Sequence, residues 1–293
     1  MKLKTEYNSS KSARHLNTFK VKVKIYAELM GNHKNCRIKS LQDNKLKPKC
    51  GKSTLMSSLD NNLIIDLEDG YRALDVMTVQ ARSANDIFEI KNLISQKNQE
   101  NGGKPFYRFI TIDNASRLEE MAVFYAGVLY RRTQMGANFG YKKDKIGNLL
   151  KDANGNKILD MKADVRQLPQ GAGWLYMRNA IKEMVNMFRP LCDTLILVCH
   201  VKDKQIKKED KETTEMAVDL AGKIGDIICG EADAIGYISR QDNKTLISFV
   251  GGGDAIRGSR PLHLREKVFQ VAESDDKGNI KVDMSQIFLD TAN

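Results

Sequence analysis

The pattern of hydrophobic and polar positions changes near residue 50 of this chain. From there on, short apolar runs alternate with stretches in which apolar residues recur every three or four positions. The runs at 63–67, 107–112 and 195–199 are typical of buried strands, and the stretches between them are typical of helices. This alternation predicts an α/β fold with a mainly parallel sheet flanked by helices.

Other signals refine this prediction at the ends of the helices and in the C-terminal part. Ser116 followed by Glu119 is a capping-box pattern, which predicts that Ser116 caps the helix after strand 107–112. Polar, glycine-rich residues at 131–171 and charged residues at 201–217 predict two long loops. Short β segments near 234–239, 245–250 and 267–272 predict a C-terminal antiparallel extension.

The chain begins with a basic segment whose pattern is weak. Residues 1–50 hold 13 Lys/Arg against 3 Asp/Glu, which accounts for the whole net charge of +10, and the other residues hold 34 of each sign. Only the alternation at 19–26 predicts a strand there. We therefore divide the chain into a basic N-terminal segment, 1–45, and a folded domain, 46–293; the domain gives no global electrostatic argument for nucleic-acid binding.

Composition excludes several classes of protein. A hydrophobic fraction of 41% and a charged fraction of 29% are typical of a soluble globular protein. No apolar run approaches the roughly 20 residues of a membrane-spanning helix, and the first residues lack the apolar core of a secretory signal. The five cysteines are scattered without zinc-site spacing, which indicates free thiols in a reducing compartment. We expect a cytoplasmic protein that has no membrane partner.

The clearest chemical signal is a loop that resembles a phosphate-binding P-loop. Such a loop needs a glycine where backbone amides wrap a phosphate, a lysine that reaches the β- and γ-phosphates, and a hydroxyl that holds Mg²⁺. Gly51, Lys52 and Ser53 supply this ending. The predicted ATP-binding residues are Lys49, Cys50, Gly51, Lys52, Ser53 and Thr54. A lysine-rich turn that caps a helix is the alternative.

Each of the three apolar strands ends in a polar residue. In open α/β sheets, ligands bind at the carboxyl ends of the strands. Asp113 stands where a carboxylate would hold the water shell of Mg²⁺, and Glu68 could orient and deprotonate an attacking water. His200 ends the third strand. The alternatives are a strand-end aspartate that caps the next helix and an acid of a solvated turn.

The order and spacing of these motifs resemble the phage-type RecA-like P-loop ATPases, AAA-domain nucleotide-binding proteins related to phage single-strand-annealing recombinases. The resemblance runs from Pro48 to about Leu264. It is carried by the P-loop together with the segments LIIDLEDG (63–70), ITIDN (110–114), GAGW (171–174), VCHVKDK (198–204) and ADAIGY (232–237).

The resemblance implies a role for each candidate residue. Lys52 would contact the phosphates, Ser53 and Asp113 would be the Mg²⁺ ligands, and Glu68 would activate the water. His200 would be a polar sensor that couples the γ-phosphate to a DNA-binding loop at 201–217. The implied catalytic residues are therefore Lys52, Glu68 and His200, and the implied cofactors are ATP and Mg²⁺.

The N-terminal segment departs from the family pattern. A P-loop has a glycine at the position of Leu46 and follows an apolar strand directly, whereas residues 36–47 are polar and basic. We favour a foreign, spliced or frameshifted N-terminal segment, in which case the chain would lack the central strand of the sheet and hydrolyse ATP poorly. The alternative is a divergent family member in which the strand at 19–26 takes the missing place.

We expect an ATPase that acts in phage DNA recombination, repair or replication and orders the loops 131–171 and 201–217 when it binds ATP. Expected partners are single-stranded DNA, further copies of the chain and phage recombination or replication proteins, in the host cytoplasm. Arg257 and Arg260 could act on a neighbouring subunit or lie in a solvated turn. The alternatives are a catalytically weak nucleotide-binding interaction module and a small-molecule phosphotransferase, although the chain shows no arginine-rich lid.

Overall fold

A computed structural model describes residues 23–27, 51–72, 74–208, 211–252 and 256–289. Side chains are described in these ranges except at 23–27 and 206–215. Among the described helices, none has both the length and the apolar composition needed to cross a membrane.

The elements follow one another in the alternating order that the sequence predicts. The strands are β1 (Val23–Ala27), β2 (Asn62–Asp66), β3 (Thr78–Gln80), β4 (Tyr107–Asp113), β5 (Cys192–Lys208), β6 (Lys211–Val218), β7 (Ala234–Gln241), β8 (Lys244–Ser248), β9 (Gly258–Ser259), β10 (Val268–Ser274) and β11 (Ile280–Val282). The helices are α1 (Lys52–Ser57), α2 (Ala84–Glu100), α3 (Ala115–Arg131), α4 (Gly173–Asn186) and α5 (Ile224–Gly230). Short 3₁₀ turns lie at Val165–Gln167, Pro169–Gly171 and Arg189–Leu191.

The strands form one sheet in the order β11-β10-β8-β7-β1-β5-β4-β2-β3, with β6 paired to β5 and β9 to β7. From β7 to β3 along this order, neighbouring strands are parallel. From β7 to β11 they are antiparallel. The predicted α/β fold, a mainly parallel sheet with a C-terminal antiparallel extension, is confirmed.

Strand β1 occupies the centre of the parallel sheet, between β5 and β7. Ile25 lies opposite Val198 on one side and Gly236 on the other. The hypothesis that the chain lacks its central strand is therefore wrong, and the alternative strand at 19–26 overlaps the observed one. The sequence misled us because residues 28–51 separate this strand from α1, whereas a P-loop joins its strand and helix directly.

Both faces of the parallel sheet are covered. In β4, Ile110 and Ile112 point toward the cluster that includes α2, α3 and α4, whereas Phe109 points to the opposite cluster. There the Phe109 ring packs against Phe288, with 4.9 Å between centroids in an edge-to-face arrangement. Burying a side chain of this size contributes about 1.5–3 kcal/mol, so these two layers fix the register of β4 and the position of its carboxyl end.

The charged segment 201–217 is a β-hairpin, so the prediction of a loop there is wrong. The first half of β5 lies in the main sheet, and its second half leaves the sheet and pairs with β6, from Val201 opposite Val218 to Lys208 opposite Lys211. Charged strands of this kind lack the alternation that reveals a half-buried strand in a sequence. Their ladder comes from pairing between backbones, which any residue except proline can make.

Residues 131–171, which the sequence predicts to be a long loop, begin at the last residue of α3 and then contain a compact set of turns. Three short segments pair with one another through bridges from Tyr141 to Leu159, from Lys143 to Leu149 and from Lys151 to Lys157. We call residues 141–159 the finger. Its two turns repeat one arrangement, because Asp144 and Asp152 each accept the backbone N–H groups two and four residues later.

Candidate functional site

The P-loop residues that the structure describes lie at the start of α1. Gly51 is the N-cap of this helix and has a φ of 84°, in the left-handed region that favours glycine. The Leu55 N–H donates to the Gly51 carbonyl at 2.9 Å, which closes the first turn. Lys52, Ser53 and Thr54 therefore present their amides at a helix N-terminus, where the backbone favours anions. Lys49 and Cys50 lie outside the described residues.

Lys52, His200 and Glu68 form a chain of polar contacts across the carboxyl edge of the sheet. The Lys52 Nζ lies 3.2 Å from His200 Nδ1, and His200 Nε2 lies 3.6 Å from a carboxylate oxygen of Glu68. A lysine ammonium has donors only, so Nδ1 accepts the hydrogen bond and a neutral imidazole carries its proton on Nε2, facing Glu68. The Glu68 side chain is 40% exposed, which leaves it accessible to a ligand.

Asp66 holds the loop that carries Glu68. This buried aspartate is the last residue of β2, and its carboxylate accepts backbone N–H groups from Glu68 at 3.0 Å, Gly70 at 3.2 Å and Tyr71 at 3.3 Å. Hydrogen bonds to a charged acceptor are about twice as strong as neutral ones. Sequence reasoning assigned Asp66 no role, because nothing in its spacing shows that it folds the following turn around itself.

Tyr71 joins the two predicted metal ligands. Its hydroxyl donates to Asp113 Oδ2 at 2.7 Å and also lies within hydrogen-bonding reach of the Ser53 side chain. Burial raises the pKa of Tyr71, and the nearby carboxylate of Asp113 raises it further, so the phenol stays protonated and donates. Burial likewise raises the pKa of Asp113, whereas Tyr71 and Lys52 favour its charged form. Sequence reasoning missed Tyr71.

The sequence predicted the wrong N-cap residue for helix α3. Asn114, not Ser116, caps α3, since the Asn114 Oδ1 accepts the Arg117 N–H at 3.0 Å. The Ser116 hydroxyl instead donates to the Asp219 carbonyl at 2.7 Å, and Glu119 accepts the Ala221 N–H. The capping box failed because Asn114, which follows the strand directly, accepts the Arg117 N–H, so the helix begins before the predicted cap.

The residues present fit a nucleotide with a hydrated Mg²⁺. Among the described residues, no group of three His, Cys, Asp or Glu could hold a metal ion, but Mg²⁺ typically takes only one or two protein ligands and completes its shell with phosphate and water. The side-chain amide nitrogen of Asn114 is buried and has no hydrogen-bond partner among the described residues. A buried donor beside Asp113 suits an acceptor brought by a ligand. Ser53 and Asp113 would hold the ion.

The structure thus brings together Lys52, Ser53, Glu68, Asp113 and His200 at one edge of the sheet. The two candidate trans-acting arginines contact other groups of the domain. The Arg260 guanidinium contacts Asp233 at 3.1 Å and donates to the Gly230 carbonyl at 2.9 Å. The Arg257 guanidinium lies 5.8 Å from the centroid of the Tyr237 ring.

Among solved structures, the chain is similar to an ATPase from the type III secretion system of pathogenic bacteria, with 12% identity and a TM-score of 0.36. That match covers 75% of this chain and 51% of the ATPase, so the chain spans about half of its length. A KaiC-like protein from the archaeon Pyrococcus horikoshii OT3 matches with 10% identity and a TM-score of 0.38, covering 89% of each chain.

No curated protein sequence matches the chain. One family, described as AAA domain, matches residues 47–261. The matched range begins just before Pro48, the residue at which the P-loop motif begins, and contains the whole set of described site residues from Gly51 to His200. The chain therefore belongs to the AAA-domain family and has the fold of the AAA-type P-loop ATPases.

Proposed function

We propose that this protein is a Mg²⁺-dependent ATPase that acts on DNA in phage recombination, repair or replication. The observation that supports it most is the contact chain from Lys52 through His200 to Glu68. These side chains come from three separate segments, the start of α1, the loop after β2 and the middle of β5. A solvated lysine-rich turn would not need to contact a residue of a central strand in this way.

The proposed reaction is the hydrolysis of ATP by in-line attack of water on the γ-phosphorus. The water oxygen forms a bond to phosphorus, the bond from phosphorus to the β,γ-bridging oxygen breaks, and the water proton passes to Glu68, giving ADP and phosphate. Lys52 stabilises negative charge on the β- and γ-phosphate oxygens as the bond breaks. When bound, Mg²⁺ neutralises charge on the same oxygens.

His200 would report the presence of the γ-phosphate. The Lys52 ammonium has three donors and gives one of them to His200, so a bound phosphate would compete with the imidazole for this group and weaken the contact at 3.2 Å. The imidazole then turns toward Glu68 or toward the phosphate. Because His200 belongs to β5, which continues into the hairpin with β6, the change reaches a segment outside the nucleotide site.

Two observations support an action on DNA. The resemblance to phage recombination ATPases implies a DNA-binding loop at 201–217, which in this structure is the β5–β6 hairpin, and the finger lies in 131–171, the other loop that we expect ATP binding to order. Positively charged side chains attract the phosphates of DNA. Residues 142–162 contain six lysines: Lys142, Lys143, Lys145, Lys151, Lys157 and Lys162.

The test is phosphate release by the full chain from ATP with Mg²⁺, with and without single-stranded DNA, followed by analysis of the products. ADP and inorganic phosphate in equal amounts, lost with EDTA and in Lys52→Ala, support the ATPase. A chain that binds ATP but releases no phosphate under any of these conditions is a nucleotide-binding interaction module instead. Phosphate recovered on an added small-molecule acceptor would identify a phosphotransferase.

A further inference from the structure

A groove separate from the Lys52 site lies between α2, α3 and the base of the finger. It encloses about 450 Å³. Its floor is helix α3, its upper rim is the start of α2, and its other wall is the end of the finger with the residues that follow it. We call it the arginine groove. It is lined by Arg82, Arg117, Phe124, Arg131 and Met161, with the carboxylates Glu120 and Asp160.

Three guanidinium groups line the arginine groove against two carboxylates. Arg117 pairs with Glu120 one turn later, and Arg82 lies 3.6 Å from Asp69. Arg131 forms no ion pair with any acid that the structure describes. Its guanidinium instead faces two aromatic rings, 6.0 Å from the centroid of Phe124 and 5.8 Å from that of Tyr141 in the finger. An arginine held beside an aromatic face, with its donors uncommitted, is well placed to receive an anion.

Large apolar side chains are exposed beside these arginines. Phe124 is 39% exposed on α3, and Met161 is 79% exposed just after the finger. Exposed apolar groups inside a concave surface mark a binding site more often than they mark a solvated face. An aromatic ring next to guanidinium groups combines the two contacts that single-stranded nucleic acids use, base stacking and phosphate pairing.

We propose that the arginine groove binds single-stranded DNA, with a base stacked on Phe124 and the neighbouring phosphates held by Arg131 and Arg117. The rest of the strand runs along the lysines of the finger. This inference rests on the DNA-binding part of the proposed function and identifies the surface that contacts the strand.

The groove is connected to the loop that carries Glu68. Arg82 forms part of its rim and also faces Asp69, the residue next to Glu68. A DNA phosphate that attracts Arg82 competes with Asp69 and changes the environment of this loop.

The experiment measures binding of a labelled oligothymidylate of about 20 nucleotides to the full chain by fluorescence anisotropy, without ATP, at salt concentrations from about 50 to 200 mM. The variants are Arg131→Gln and Phe124→Ala. Their matched controls are Lys91→Ala, which removes a charge from α2, and Leu262→Ala, which removes an apolar side chain that is 75% exposed outside the groove.

We expect each groove variant to bind the oligonucleotide about tenfold more weakly, and each control to bind as the parent does. Arg131→Gln should also lower the slope of log K against log salt by about 0.7, the value for one phosphate contact on a single strand, whereas Phe124→Ala should leave the slope unchanged. Thermal melting of each variant checks its fold, and Phe124→Ala removes an exposed ring that the core does not need.

Parental binding by both groove variants overturns the proposal, as does a parent chain that does not bind the oligonucleotide. A chain that binds an acidic peptide through the groove in preference to DNA overturns it as well. ATP–Mg²⁺ stabilisation measured on the same variants separates this result from the ATPase. Loss of DNA binding in a chain that never hydrolyses ATP supports the groove and contradicts only the proposed hydrolysis.

Discussion

The Nζ of Lys52 lies 3.2 Å from Nδ1 of His200, although the two residues are 148 positions apart in the chain. The contact joins the first residue of α1 to the part of β5 where the strand passes out of the main sheet. Lys52, which we propose contacts the β- and γ-phosphates of ATP, thus has a polar partner on a separate strand. Under this proposal the phosphates and His200 compete for the same ammonium group.

Replacement of Lys52 by alanine should abolish stabilisation of the protein by ATP–Mg²⁺. The lysine stands at the helix N-terminus, where it can reach the β- and γ-phosphates. The measurement is the shift in melting temperature on adding nucleotide, because a ligand that binds only the folded state raises it. Lys91→Ala, a charge removal on α2, should keep the full shift. An unchanged shift in Lys52→Ala would contradict the assignment of the P-loop.

Glu68→Gln and Asp113→Asn should affect different kinetic constants. In the proposed reaction Glu68 acts on the attacking water in the transition state, so its amide variant should lower kcat by about 10²–10⁴-fold with nearly unchanged ATP affinity. Asp113 is a proposed Mg²⁺ ligand, so Asp113→Asn should weaken Mg²⁺–ATP binding as well as turnover. Rates and affinities are measured for both variants under the same conditions. If the Glu68→Gln protein keeps the kcat of the parent, Glu68 has no catalytic role and is a residue of a solvated turn.

Proline at position 25 should unfold the domain. Ile25 lies in β1, whose backbone pairs with β5 on one side and β7 on the other. Proline removes an N–H from this ladder and is tolerated only on edge strands, so a central position is costly. Circular dichroism and urea titration measure the loss, and Ile25→Val, which keeps a β-branched side chain, is the control. A folded Ile25→Pro protein would show that the sheet does not depend on β1.

Alanine at Gly173 should destabilise the protein by about 1–3 kcal/mol or more. A Cβ at this position would lie 1.8 Å from the Val165 carbonyl oxygen, so the start of α4 would have to move away from that turn. The control is Gly230→Ala at the end of α5, where a Cβ meets nothing within 4 Å and alanine is the better helix former. Urea unfolding compares the two, and equal stabilities would contradict the close approach.

The sequence predicted most of the sheet because its strands are buried on both faces. Runs such as 63–67 and 107–112 are mostly apolar. The observed strand Asn62–Asp66 is shifted by one residue from the first run, and Tyr107–Asp113 is one residue longer than the second. The hairpin of β5 and β6 was missed, since its order comes from pairing between two charged segments. The residue pattern within one β-strand does not reveal such pairing.

The candidate site was only partly predictable for a related reason. Glu68, Asp113 and His200 could be found because each directly ends a run of apolar residues. Asp66 and Tyr71 could not, since Asp66 acts by folding a turn around its carboxylate and Tyr71 by reaching a residue 42 positions away. Their chemistry depends on tertiary contacts that leave no spacing in the sequence.

Strand β5 connects the candidate site to the far end of the hairpin without a break. Its 17 residues run without interruption from Cys192, inside the sheet, through His200 to Lys208, near the far end of the hairpin. At roughly 3.3 Å per residue, Lys208 lies about 26 Å along the strand from His200. A tilt of about 10° at the histidine would therefore carry that end through about 4–5 Å, an amplitude comparable to the spacing between two strands. In the proposed function, an exchange of partners at Lys52 that tilted β5 by this angle would move the end of the hairpin by this distance.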